Sequence, residues 1–202
     1  MTPILLNQLR SVITSPLISM FCKKYEENEI LLKKSIDTSI CTVLIGIDKI
    51  IENPSLYDNL IECITLTEFY KTLEYDNGKL STLNYSFEKE GFTPLNLIFS
   101  TKKGRISEMI SNEVGIKSAT AGAVLNFAVM LILSHFKNEK QKTENVQDNL
   151  NTEKKLILNT VPEGIRIILG YANFQYEDAS NNFDTLIKTE VKPHFLSKIF
   201  KL

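Results

Sequence analysis

The chain of 202 residues carries 23 Lys and Arg against 24 Asp and Glu, and its formal net charge of −1 removes the bulk electrostatic drive of non-specific nucleic-acid binders. Apolar residues at 43% and charged residues at 23% suit a globular protein large enough for one sizeable core, and 8 glycines with 6 prolines argue against long disordered tracts. Three widely spaced cysteines, Cys22, Cys41 and Cys63, fit reduced thiols in a cytosol better than a disulfide framework, and Arg10 follows the first apolar stretch, which is not the order of a secretory signal.

Thr2-Pro3, Ser15-Pro16 and Thr93-Pro94 each pair a hydroxyl with a proline. That is the pattern of an N-cap followed by the first helical position, where no N–H bond is lost, so each predicts a helix start. In 28–52, Leu32, Ile36, Ile40, Val43, Leu44, Ile47, Ile50 and Ile51 recur every three or four residues, one stripe along a helix of about seven turns. Asn53-Pro54 and Lys192-Pro193 read as connections. Leu56, Leu60, Cys63 and Ile64, closed by Phe69-Tyr70, predict another helix over 55–71. Asn77-Gly78 suits a type I′ hairpin turn, but its flanks alternate poorly and a loop is the expected form. Two short helices, 94–100 and 105–114, flank "TKKG", and Gly115 is placed to end the second. Ser118 then caps "SATAGAVLNFAVMLILSHF", 118–136, a run without a charged side chain. The stretch 138–151, nearly free of apolar residues, predicts a solvated linker or exposed helix end. A helix over 152–172 follows, with Pro162 inside its pattern, and 175–192 is polar and irregular.

Segments 17–47 and 105–136 share an order: a short helix with Ile-Ser near its start, a turn, and a longer helix ending in "VLIGI" or "VMLIL". Segment 151–171 reproduces the longer helix with "RIILGY" at its end, so three long helices read as counterparts. One carries Lys33, Lys34, Asp37, Asp48 and Lys49, and another Glu153, Lys154, Lys155, Glu163 and Arg166, so neither can span a bilayer. The uncharged one is predicted to be the central member, buried all round, and its 119–136 run, about 27 Å long, is near the lower limit for spanning. The expected fold is all-α: a multihelical bundle of repeated short-helix/long-helix units around a central apolar helix. It occupies 1–172, followed by a polar segment and basic amphipathic tail, 173–202.

His135 and His194 have no partner at metal-ligating spacing, and no histidine lies near a cysteine in sequence, so neither a metal nor another cofactor is expected. Glu26, Glu27 and Glu29 precede a helix, where carboxylates favour the positive end of its dipole. In "STKKGR", 100–105, a basic loop enters a helix N-terminus; a solvated turn is the simpler reading, and an anion contact through Lys102, Lys103 and Arg105 the functional one. The phosphate-loop spacing GxxxxGK[ST] is missing there. The end, "VKPHFLSKIFKL", sets Phe195, Leu196, Ile199 and Phe200 among Lys192, Lys198 and Lys201, so it either docks on the bundle or contacts a partner or membrane surface.

Two segments resemble the YidB-like family of bacterial proteins. "GFTPLNLIFSTKKGRISEMISNEVGIKSATAGAVLNFAVMLILSHF", 91–136, is similar to its short helices, turn and long apolar helix, and "LNTEKKLILNTVPEGIRIILG", 150–170, to its last helix. The chain departs in having "IFSTKKG" where relatives have "LFGGK", Asp37-Thr38 where a proline is common, and few glycines. The resemblance implies an all-helical protein with no assigned activity and no catalytic residues to carry over; some relatives continue into a membrane segment and an OmpA-like domain. The expected function is a non-enzymatic interaction or scaffold module in the cytoplasm, bound to an unidentified protein partner. The alternatives are the cytoplasmic module of a membrane-anchored envelope protein or a weak nucleic-acid or anion binder.

Overall fold

Helices carry most of the 4–84, 86–138 and 143–174 segments that the computed structural model describes. The chain divides into a unit Met1–Ala172 and a unit Asn173–Leu202, and only the first is described below. The tail residues Lys192, Phe195, Lys198, Ile199, Phe200 and Lys201 lie outside the described residues. Four helices come first: α1 (Ile4–Ser11), α2 (Ser15–Tyr25), α3 (Glu29–Ile51) and α4 (Pro54–Leu66). A hairpin of β1 (Leu73–Asp76) and β2 (Lys79–Leu83) interrupts them. Then follow α5 (Phe87–Glu90), α6 (Phe92–Phe99), α7 (Lys103–Val114), α8 (Ser118–Asn138), α9 (Thr143–Thr160) and α10 (Glu163–Ile168).

Capping chemistry sets the helix starts, in places one residue away from the prediction. Thr14, not Ser15, caps α2, its hydroxyl accepting from the Leu17 N–H. Asn53, read as a connection, caps α4 by accepting from the Leu56 N–H, with Pro54 at the first helical position. Helix α6 begins at Phe92, so Thr93-Pro94 lies inside its first turn. The residue before it, Gly91, sits where a Cβ would be 2.8 Å from the Asn126 carbonyl oxygen, so backbone lies directly on α8 there. Gly115 ends α7 at φ 82, as its C′ position requires.

The expected loop at 77–78 is instead a hairpin turn. Asn77 at φ 47 and Gly78 at φ 72 both occupy the left-handed region that a type I′ turn demands. The register pairs Tyr75 with Leu80 and Leu73 with Leu83, with a bulge at Glu74/Tyr75. The extra residue of that bulge lets Leu80 and Leu83, three apart, both be buried, which breaks the period-two pattern in the sequence. Of the two forms expected for 138–151, the helical one is found from Thr143 onward: it is the first half of α9, which starts before the predicted 152 and is held by buried Val146 and Leu150 at helical spacing. Pro162, with no N–H to donate, separates α9 from α10.

Helix α3 packs against α8 and also against α9. The three predicted counterparts therefore meet, with α3 packed along both α8 and α9, and the apolar α8 is buried along most of its length. Helix α8 is the one described helix long and apolar enough to cross a bilayer, and 78% of its apolar window is buried inside the unit. Phe127 of α8 closes an aromatic cluster with Phe21 and Phe87, at ring-centroid distances of 5.3 and 6.1 Å. Edge-to-face rings at such spacing add about 0.5–1.5 kcal/mol per pair beyond the area they bury.

Candidate interaction surface

Many of the charges that a catalytic reading would need are engaged at helix ends. Glu153, 6% exposed, accepts from the Leu5 and Leu6 N–H groups at 2.7 and 2.9 Å and so caps α1 from α9. Glu27 accepts from the Lys117 N–H and the Thr120 hydroxyl, both at 2.8 Å, at the N-terminus of α8. Of the acidic cluster, only Glu29 lies in the first turn of α3, so the predicted dipole role holds for it, while Glu27 serves a different helix. Lys137 donates to the Thr65 and Thr67 carbonyls where α4 ends. Asp48, 6% exposed, accepts from the Tyr171 hydroxyl and pairs with Lys154 at 2.7 Å. Burial, reinforced by Asp48, pushes the Tyr171 phenol far above its ordinary pKa. The Lys49 and Lys154 ammoniums lie 4.6 and 5.2 Å from the Tyr171 ring centroid, a clasp that ties the segment after α10 to α3 and α9.

Cys41 is fully buried, and desolvation pushes its thiol up to about 12, away from nucleophile chemistry. Burial also raises the thiols of Cys22 and Cys63. His135 lines a cavity of about 280 Å³ with Leu9, Tyr75 and Leu131, a lining that includes no carboxylate and no thiol. Among the described residues no three His, Cys, Asp or Glu side chains are grouped to hold a metal ion.

The predicted basic loop has a more specific arrangement. Lys102 donates to the Ile168 carbonyl at 3.0 Å, the cationic partner that the end of α10 favours. The Lys103 ammonium stands 3.3 Å from the centroid of the Phe92 ring, and partial burial lowers its pKa. Arg105 is exposed two residues further along α7. None of these three cations forms an ion pair among the described residues.

Beside them stand two large apolar side chains in solvent, Phe92 at 52% and Ile167 at 53% exposure. Lys103 ties Phe92 to the start of α7, and Lys102 ties that start to α10. Gly164 brings α10 close, since a Cβ there would be 2.1 Å from Met109 Cε of α7. Phe92, Lys103, Lys102 and the Ile168 carbonyl are thereby linked across α6, the start of α7 and α10, with exposed Ile167 next to Ile168 in the chain and exposed Arg105 two residues along α7. Sequence reasoning found the cations and missed the apolar pair, since Ile167 reads as part of an ordinary aliphatic helix end and Phe92 precedes an apolar helix. No protein-family model, curated protein or solved structure matches the chain.

Proposed function

We propose that the helical unit is a non-enzymatic interaction module that docks an acidic segment of a protein partner on this surface. One observation carries the reading: three cations within four positions have no carboxylate partner among the described residues, half-exposed Phe92 lies against one of them, and half-exposed Ile167 is next in the chain to the Ile168 carbonyl that another holds. Covering Phe92 and Ile167 supplies the hydrophobic gain, and the cations select an anionic counterpart and its orientation. The engagement of Glu27, Asp48 and Glu153 in tertiary contacts supports the same reading, because it leaves those carboxylates to hold helices together.

We place the chain among relatives of the YidB-like bacterial proteins, in the cytoplasm. The succession of short and long helices, α2–α3 and α7–α8, supports the internal repeat read between segments 17–47 and 105–136. The test is photocrosslinking in cells from position 92, compared with position 30, where Ile30 is 76% exposed on α3. The expected result is a discrete adduct from position 92 that Lys102→Glu with Arg105→Glu abolishes. An identical adduct pattern from both positions, untouched by the charge reversals, would overturn the proposal.

A second reading has its own support, since a lysine stacked on an exposed aromatic beside an exposed isoleucine is also the composition of a membrane-interface contact. Co-sedimentation with phosphatidylserine-rich but not phosphatidylcholine vesicles, lost on Phe92→Ser, would favour it over a protein partner.

A further inference from the structure

Independently of that surface, the α1–α2 turn and α3 line an open cavity of about 210 Å³. Its apolar wall is Ile13, Ile18, Ile36 and Ile40, and Arg10, Asp37 and Lys33 supply its charged lining. Arg10 donates from Nε and Nη2 to the two carboxylate oxygens of Asp37 at 2.6 and 2.8 Å, which fixes the plane of the guanidinium. A guanidinium has five N–H donors, and this pair uses two. No hydrogen bond from Nη1 forms among the described residues, so Nη1 and the second Nη2 hydrogen remain as a fork of carboxylate shape.

The hydrogen bond with Asp37 raises the Arg10 pKa and secures its charge. The Thr14 hydroxyl is occupied, accepting from Leu17 and donating to the Leu80 carbonyl. Lys33 pairs with Glu29 at 2.5 Å in an exposed i,i+4 contact, a weak type of pair that a second anion readily displaces. At about 210 Å³ the cavity far exceeds the ~30 Å³ liquid share of one water and has room for a small organic acid.

We propose that this cavity binds a short aliphatic monocarboxylate, with the carboxylate on the open edge of Arg10 and the chain among the four isoleucines. Asp37 is a positioning residue that holds the guanidinium in place. The test is a methyl-resolved NMR titration of the isoleucine-labelled protein with pentanoate, pentylammonium and pentanol. Pentanoate should shift the resonances of Ile13, Ile18, Ile36 and Ile40 saturably, and the other two probes should not.

Arg10→Lys keeps a cation beside Asp37 but lacks the second fork, and should weaken pentanoate binding at least tenfold. Ile13→Phe, at a half-buried position on the cavity wall, fills the space and should abolish binding; the same spectra report whether each variant is folded. Unmoved isoleucine methyls, an equal response to pentanol or pentylammonium, or wild-type affinity in a folded Arg10→Lys variant would each overturn the proposal.

Discussion

Replacing Glu153 by alanine tests whether the helices are joined through carboxylates that cap distant helix ends. Glu153 is 6% exposed and accepts from two amides of the first turn of α1, Leu5 and Leu6, which are themselves 1% and 0% exposed. The first four N–H groups of a helix have no intrahelical acceptor, so removal of the carboxylate strands two buried donors. Each hydrogen bond to a charged acceptor contributes ~1.5–3 kcal/mol, which gives about 3–6 kcal/mol for the pair. A water entering the alanine-sized gap recovers part of this, and a net loss of about 3–4 kcal/mol is expected. In a domain of this size 1 kcal/mol moves Tm by ~2–4 °C, so the midpoint should fall by roughly 6–16 °C. Glu153→Gln keeps the volume and one acceptor but turns an NH2 toward the second amide, and should cost about 2 kcal/mol. Thermal unfolding by circular dichroism gives the shifts, and amide hydrogen exchange locates them. Protection should disappear first at Leu5, Leu6 and Leu9, while α8 stays protected. A drop of less than about 3 °C for Glu153→Ala, or unchanged exchange in α1, would refute the capping argument.

Two glycines separate rigid from yielding neighbours. A Cβ at Gly46 would be 2.5 Å from both Ile98 Cγ2 and Phe99 Cε1, side chains 8% and 2% exposed, so Gly46→Ala should cost about 1–3 kcal/mol by overpacking despite better helix propensity. Gly164→Ala meets the flexible tip of Met109 and should leave the urea midpoint unchanged or raised; equal losses at both sites would contradict this packing. Ellman's reagent should label Cys22 and Cys63 in the native protein and Cys41 only after unfolding. Burial raises the Cys41 thiol from 9.0 to about 12, so its contribution to stability is complete below pH 9 and is lost as pH rises toward 12. Wild type should therefore lose stability more steeply than Cys41→Val across that window, and parallel curves would remove the thiol as a cause. Ala121→Leu, at a fully buried site in α8, should cost about 1–3 kcal/mol. Asn126→Leu, which removes a buried Oδ1 without a hydrogen-bond partner among the described residues, should cost less than about 1 kcal/mol, and unchanged stability in both variants would refute the placement of α8 in the core.

The helical class was legible because it is written in local rules: the apolar period from Leu32 to Ile51, a glycine after Val114 and an uncharged run from Ser118. The same rules marked Lys102, Lys103 and Arg105 as a basic cluster, and the structure leaves all three without a carboxylate partner among the described residues. What they missed depends on which elements meet. The bulge that buries both Leu80 and Leu83 hid the hairpin, and the carboxylates of Glu27 and Glu153 cap helices far along the chain from themselves. Val146 and Leu150 turn a polar stretch into half of α9 because the rest of the unit buries them. Phe92 and Ile167 read like core residues, yet the packing leaves both half in solvent, Phe92 against the Lys103 ammonium. Backbone period and turn chemistry depend on neighbours in sequence and can be read from it directly. Burial and charge pairing depend on neighbours in space, and the tertiary structure alone decided those.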